Sequence, residues 1–208
     1  MSDYLKIITL DSVTSTNDYA WKEVASGAKE ITVVRADTQT KGRGRRGRGW
    51  TSGPGGLYAS FILTPEKPIA DLYFLPLVMA MAAAKILGRY VDVRLKWPND
   101  ILCGNKKIAG ILVETKRFKG VGFVVAGIGI NINTVARDLP DTATSLYIAV
   151  GKEYNITEIF RGLLTEEIKV YKKFKAQGPA VFWPKISDLA VDFDPNRVKD
   201  ARSAITNL

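Results

Sequence analysis

The hydrophobic residues of this chain change rhythm several times, and each change marks an element. Residues 5–10 read as a short strand, and Ser15, Thr16, Asn17 and Asp18 then offer N-cap groups for a helix that Gly27 ends. Residues 31–36 form a second expected strand. The stretch 37–56 has no apolar run, and strand character resumes over 57–63, where Leu57, Ala59, Phe61 and Leu63 share one face. A core helix is expected from Pro76 to a stop at Gly88. Val91, Val93, Leu95 and Trp97 then alternate with Asp92, Arg94 and Lys96 until Pro98 ends the strand. Strands over 107–115 and 121–133 flank a hairpin at 116–120, and the second is almost continuously apolar, as a strand buried on both faces is.

Asn155 and Glu158 have the spacing of a capping box. Behind them Ile156, Ile159, Phe160, Leu163, Leu164, Ile168, Tyr171 and Phe174 mark one face of a long amphipathic helix, which Gly178-Pro179 closes. The remainder is shorter and more polar, and its last dozen residues are expected to be weakly ordered. There is no internal repeat. Runs of adjacent strands with segregated helices predict an α+β fold with a mixed, largely antiparallel sheet flanked by helices.

Composition narrows the chemistry. The 208 residues hold 30 Lys and Arg against 21 Asp and Glu, a net charge of +9 that favours anionic partners. Histidine is absent, so a Ser-His-Asp or Cys-His nucleophilic site and an H-E-x-x-H zinc site are excluded. The single cysteine, Cys103, can form neither an internal disulfide nor a multi-cysteine metal cluster, which suits a reducing compartment. The N-terminal residues lack the layout of a signal peptide. The most apolar stretch, 73–87, is broken by Pro76 and Lys85 and falls short of a membrane span. A soluble, cytoplasmic protein without a membrane partner is expected.

Three constellations could carry chemistry. The first is Lys41-Gly42-Arg43-Gly44-Arg45-Arg46-Gly47-Arg48-Gly49-Trp50, and seven of the chain's 18 glycines fall between positions 42 and 56. Bare amides and guanidinium forks suit phosphate or carboxylate oxygens, and an aromatic plane beside them can cover a base. A solvated basic loop or a nonspecific nucleic-acid arm explains the same composition equally well. Gly42, Gly44 and Gly47 spell G-x-G-x-x-G, but no helix can open among the glycines that follow, so a dinucleotide fold is not indicated. The second constellation is Lys96-Trp97-Pro98-Asn99-Asp100 with Lys106-Lys107-Ile108-Ala109-Gly110. Asn99-Asp100 is a natural turn pair, and Asp100 is a weak candidate for a magnesium ligand. The third is the strand in which Gly127, Gly129, Asn131 and Asn133 share one face and Ile128, Ile130 and Ile132 the other. A glycine floor ending in amides suits a flat polar ligand, and tight packing against a helix explains it as well.

Together these residues resemble the biotin–protein ligases, the family that includes the biotin repressor. Ser15-Thr16-Asn17, the block from Gln39 to Trp50, the Lys96–Asp100 and Lys106–Gly110 pair, and the Gly/Asn strand match in order over roughly residues 5–190. The resemblance implies a class II synthetase-like catalytic domain and an ATP-dependent reaction. Biotin's carboxylate attacks the α-phosphate to give biotinyl-5′-AMP and pyrophosphate, and a lysine of a biotin carboxyl carrier protein then takes the biotinyl group. Carried over by motif, Ser15, Thr16, Asn17, Gln39, Arg43, Gly44, Gly127 and Gly129 are biotin-binding residues. Trp50, Lys96 and Asn131 belong to the ATP side, and Arg45 and Lys107 serve both ligands as the catalytic pair. Mg²⁺ is implied as a companion of ATP, with its protein ligands unassigned.

The catalytic domain is expected over 1–190, with 191–208 as a short tail. Neither the winged-helix domain of the repressor members nor the small C-terminal barrel common in the family has room in this sequence, so sequence-specific nucleic-acid binding is not expected. A homodimer is compatible with the family. Two alternatives stand beside the ligase: a lipoate–protein ligase, whose chemistry is parallel, and a nonenzymatic nucleic-acid binder using the basic loop.

Overall fold

A computed structural model of the chain describes residues 4–191. In chain order its elements are β1 (Lys6–Val13), α1 (Thr16–Ala25), β2 (Thr32–Gln39), β3 (Gly56–Leu63), α2 (Ile69–Leu72), α3 (Leu75–Leu87), β4 (Arg94–Lys96), β5 (Asp100–Cys103), β6 (Lys106–Phe118), β7 (Val121–Asn131), α4 (Leu146–Val150), α5 (Ile156–Gln177) and α6 (Trp183–Leu189). All seven strands form one sheet in the order β1-β2-β3-β7-β6-β5-β4. Only β1 and β2 run parallel, since α1 crosses over between them, and every other neighbour pair is antiparallel. The expected α+β fold with a mixed, largely antiparallel sheet is the one observed.

Alternation along the central strands sorts the two faces. Leu57, Ala59, Phe61 and Leu63 of β3 join Ala126, Ile128 and Ile130 of β7 against α3 and α5, which make the main core. The opposite face is thinner: Val34, Ile62 and Val125 pack under Ala20 and Val24 of α1. Beyond that small cluster the face turns polar or bare at Ser60, Gly127 and Gly129, and this is where the site forms. Together α2 and α3 span Ile69–Leu87, long and apolar enough by length and composition to cross a bilayer. The sequence expectation of too short a stretch is corrected on length, because the helix begins before Tyr73. Nearly all of α3 is buried in the core.

Several boundaries differ from the sequence reading. The first strand runs on to Val13, β4 shrinks to three residues, and β5 begins at Asp100, where a turn is expected. Short strands at a sheet end have too few alternating positions to show a period. The hairpin tip tightens to Lys119 and Gly120, both with positive φ (48° and 82°), as a two-residue hairpin turn requires. Asn155 caps α5 by accepting from the N–H groups of Thr157 and Glu158. The expectation of weak order at the C-terminus lies outside the described residues. Within α5, Glu167 is fully buried and neither carboxylate oxygen has a hydrogen-bond partner among the described residues. Burial, and then the neighbouring Glu166, push this carboxyl well above the usual range, which favours its neutral form.

Candidate active site

A cavity of about 300 Å³ opens on the α1 face of the sheet. Its floor is β6 and β7 at Gly110, Gly127 and Gly129, one wall is the N-terminus of α1, and the chain between β2 and β3 folds over it. The segment around Thr142 and Ala143 closes the far end by pairing with Lys107, whose N–H donates to Thr142 O (2.9 Å) and whose carbonyl accepts from Thr144 (2.9 Å).

The wall at α1 is built mainly of hydrogen bonds between neutral groups. Ser15, Thr16 and Asn17 are buried at the first turn. Gln39, the last residue of β2, accepts through Oε1 from the Thr16 N–H (2.7 Å) and the Thr16 hydroxyl (3.1 Å), satisfying one of the free amides of the helix start. Its amide nitrogen donates to Ser52 Oγ (2.8 Å), and Ser52 in turn donates to Trp50 O (3.0 Å). Ser60 Oγ lies 2.7 Å from both Thr16 Oγ1 and Asn17 Oδ1.

The basic stretch is a compact hairpin. The Gly44 N–H donates to Arg48 O (2.7 Å) and the Trp50 N–H to Gly42 O (2.9 Å), around a 3-10 turn over Arg45–Gly47. Gly42 is required here, because a Cβ would lie 2.4 Å from Trp50 O. Arg46 takes a left-handed φ of 57°, a cost of order 1 kcal/mol for a side chain that stays exposed. Arg43 and Arg45 are tied back to the sheet and α1 instead. Arg43 makes a two-pronged pair with Glu114 (2.8 and 3.0 Å) and a second with Asp18 (2.7 Å). Burial alone would lower the Arg43 pKa and raise that of Glu114, but the pairing outweighs it in both: Arg43 is held above its usual value and Glu114 below. Arg45 donates to Asn99 Oδ1 (3.1 Å), and Asn99 is itself fixed by donating to Ile111 O (2.8 Å). A free nucleic-acid arm would leave these guanidiniums without partners in the protein.

Lys107 reaches the cavity because β6 is irregular. Asp100 pairs with Gly110 and Ile101 with Ala109, but Leu102 pairs with Lys107, which leaves Ile108 as an extra residue opposite the step from Ile101 to Leu102. Strict alternation would place Lys107 with Ala109 and Ile111 on the core face. The bulge instead buries both Ile108 and Ala109 in the core and returns Lys107 to the side of Gly110. There its ammonium sits 2.6 Å from Asp100 Oδ1 and 5.0 Å above the Trp50 ring, while Lys106 is exposed.

The cavity is lined by Ser15, Thr16, Asn17, Gln39, Arg43, Gly44, Arg45, Trp50, Lys107, Gly127, Gly129 and Asn131, all of them expected at the site. Lys96 is not brought there: β4 leaves it exposed, away from the lining. The floor differs from the bare surface expected of it. A Cβ at Gly127 would lie 2.3 Å from Asn17 Oδ1, and one at Gly129 would lie 2.5 Å from Trp50 Nε1, so the glycines make room for the protein's own side chains. The indole N–H over Gly129 is buried with no acceptor among the described residues. Asn131 donates to Thr144 O (2.9 Å) and holds the far wall. Sequence reasoning read Asn99 only as a turn residue and missed Ser60 and Glu114. A serine inside the wholly buried β3, and an acid on the even positions of β6 after Gly110 and Leu112, were the available signals. Among the described residues no group of three or more Asp, Glu, His or Cys is placed to hold a metal, and Asp100 is engaged by Lys107.

A mixed seven-stranded sheet that carries a glycine-floored cavity, with cations at one end and a neutral hydrogen-bonded wall at the other, defines a class of ligase domain. Residues 9–133 match the Biotin/lipoate A/B protein ligase family, and the chain belongs to that family. Among curated relatives, the bifunctional ligase/repressor BirA of Bacillus subtilis is 36% identical over 180 residues, covering 83% of this chain and 55% of its own length. The biotin–[acetyl-CoA-carboxylase] ligase of Mycobacterium tuberculosis is 34% identical over 140 residues, 64% of this chain and 51% of the relative. The chain thus spans about half the length of these relatives. Among solved structures, a biotin protein ligase from Aquifex aeolicus in complex with biotin and ATP superposes with a TM-score of 0.78 at 34% identity, over 90% of this chain and 79% of that one.

Proposed function

We propose that this chain carries the catalytic domain of an ATP-dependent biotin–protein ligase, with a lysine of a biotin carboxyl carrier protein as acceptor. The observation that carries the reading is the meeting of Arg45 and Lys107 over one glycine floor beside the neutral Gln39–Thr16–Asn17–Ser60 network. The relatives' names and the ligands of the Aquifex neighbour support the same reading.

The two ends of the cavity divide the work. A cyclic urea needs neutral donors and acceptors, which the Gln39 and α1 end supplies in fixed directions. A carboxylate approaching a triphosphate needs cations, which Arg45 and Lys107 supply. In the first step a carboxylate oxygen of biotin forms a bond to the α-phosphorus, the bond from that phosphorus to the bridging oxygen breaks, and pyrophosphate leaves with the electron pair. Negative charge on the α-phosphoryl oxygens is stabilised by cations already in place. In the second step a neutral lysine amine attacks the acyl carbon, AMP leaves, and the amine loses a proton. Neither step needs histidine. Mg²⁺ enters with the triphosphate as part of the substrate, which fits a site where no carboxylate cluster is placed to hold a metal among the described residues. The reading puts the protein in the cytoplasm, where ATP is at hand, and leaves room for a homodimer.

The test is to incubate the protein with ATP and Mg²⁺ plus biotin or lipoate. Biotin-dependent release of pyrophosphate with formation of biotinyl-AMP is expected. Release with lipoate and not biotin would shift the assignment to the lipoate branch, and no release with either would overturn it.

A further inference from the structure

One carboxylate beside the cavity takes no part in the proposed chemistry, yet three elements converge on it. Glu114 projects from β6 on the site face. Its Oε1 accepts from Arg43 Nη1 (2.8 Å), and its Oε2 accepts from Arg43 Nη2 (3.0 Å), Asn17 Nδ2 (2.9 Å) and Trp21 Nε1 (3.2 Å). Asp18 Oδ1 takes the same Arg43 Nη2 at 2.7 Å. An isolated surface ion pair contributes little, but a two-pronged pair with further donors on the same carboxylate fixes geometry. The loop is held through Arg43, and α1 through Asn17 and Trp21.

Asn17 shows why this geometry matters. Its Nδ2 donates to Glu114 and its Oδ1 lies 2.7 Å from Ser60 Oγ, directly above Gly127. Glu114 accepts only and is the shorter of the two acceptors of Nδ2, the other being Leu112 O at 3.4 Å, so it does most to fix which end of the amide faces which neighbour. Without the carboxylate the amide nitrogen keeps only its longer bond to Leu112 O (3.4 Å), and the wall of the cavity holds its donor and acceptor less firmly.

We infer that Glu114 is a positioning residue: it straps the 42–49 loop to α1 through Arg43 and orients the Asn17 amide, so that loop and helix meet the carboxylic acid substrate as one preformed wall. The inference deepens the ligase reading and rests on it. One consequence concerns Arg43, expected from the resemblance to touch biotin. Its guanidinium is engaged by the strap, so Arg43 meets a ligand through its backbone.

The test compares E114Q, R43M and the double variant, with D18N as a milder variant at a half-buried position should E114Q fold poorly. In the ligand-free protein, amides of residues 42–49 should exchange about tenfold faster in E114Q and R43M, with β6–β7 protection unchanged. In the wild type's own reaction, the KM for biotin should rise about tenfold while kcat stays within about threefold, and the double variant should be no worse than either single one. D18N should show the same pattern at smaller size. A lower melting temperature with unchanged loop exchange and unchanged KM would mean a merely structural role and overturn the inference, as would additive losses in the double variant. If the wild type makes no pyrophosphate from biotin and ATP, the ligase reading fails, while loop exchange and its non-additivity still decide whether Glu114 is the strap.

Discussion

The two ends of the cavity are built on opposite terms. At the α1 end, Gln39, Thr16, Asn17, Ser52 and Ser60 hydrogen-bond one another, and most of them are buried. At the other end, Arg45 donates to Asn99, Lys107 is paired with Asp100, and the Trp50 N–H is buried without an acceptor among the described residues. A network whose partners are all internal keeps its shape and can only offer what it presents. Cations held by one polar side-chain partner each can turn to an incoming anion at little cost. The neutral end therefore recognises, and the cationic end responds to charge that arrives and grows during reaction.

Removing the cationic end's ammonium should break the contrast most sharply. Lys107→Ala is expected to slow pyrophosphate release about a hundredfold, corresponding to about 3 kcal/mol of lost charge stabilisation. Lys106→Ala, on the exposed side of the bulge, should change it by less than about threefold. Single-turnover assays of both variants decide this, and equal losses would mean a diffuse effect of net charge instead of a placed ammonium.

At the neutral end the prediction is of another kind. Gln39→Ala takes the side-chain acceptor from the Thr16 N–H and the donor from Ser52 Oγ. The KM for biotin should rise about tenfold while kcat holds, since lost uniform binding does not touch the chemical step. Steady-state kinetics in biotin would show it, and a fall in kcat with unchanged KM would reverse the roles of the two ends.

The floor that joins them gives a smaller effect, on stability. Gly129→Ala sets a Cβ 2.5 Å from Trp50 Nε1, so the indole must shift, at a cost of about 1–3 kcal/mol. Denaturant unfolding of this variant beside Gly122→Ala, where a Cβ meets nothing within 4 Å, separates crowding from the general loss of a glycine.

The smallest effect is expected from pH. The carboxyl of Glu114 is pushed up by burial but drawn further down by Arg43, Asn17 and Trp21, so its folded value lies below the ordinary 4.5. The unfolded chain then binds more protons in that interval, and stability falls as pH falls through it. The contribution is complete above the ordinary value and lost below the folded one. Unfolding free energies of wild type and E114Q should converge on acidification, and a gap that widens would contradict the pairing.

The order of secondary structure was legible because most elements here carry their own period. The amphipathic face of α5 and the split of β3 into Leu57, Ala59, Phe61 and Leu63 against Tyr58, Ser60 and Ile62 needed only local sequence. The chemistry was legible in part for the same reason: guanidiniums and glycines are dense between positions 41 and 50, and no other segment is so basic and so bare. Lys96, carried over to the ATP side by the resemblance, is not among the residues lining the cavity, because alternation tells which residues share a face and not which face a neighbouring loop will cover.

What the sequence determined by itself was therefore the kinds of groups and their local rhythm: strands buried on two faces, a glycine-rich basic turn, and a chain that must do its chemistry without histidine. The tertiary structure alone decided which of those groups meet. Lys107 reaches the site only through the extra residue at Ile108, a shift set by the pairing of β5 with β6 and invisible to the period of β6 alone. Glu114, Asn17 and Arg43 are far apart in the chain and indifferent to one another in composition, and they form one network because α1 and the loop pack on the same face of the sheet. Side-chain periodicity is a local property of the backbone, whereas register and the choice of covering element are set by contacts between distant segments.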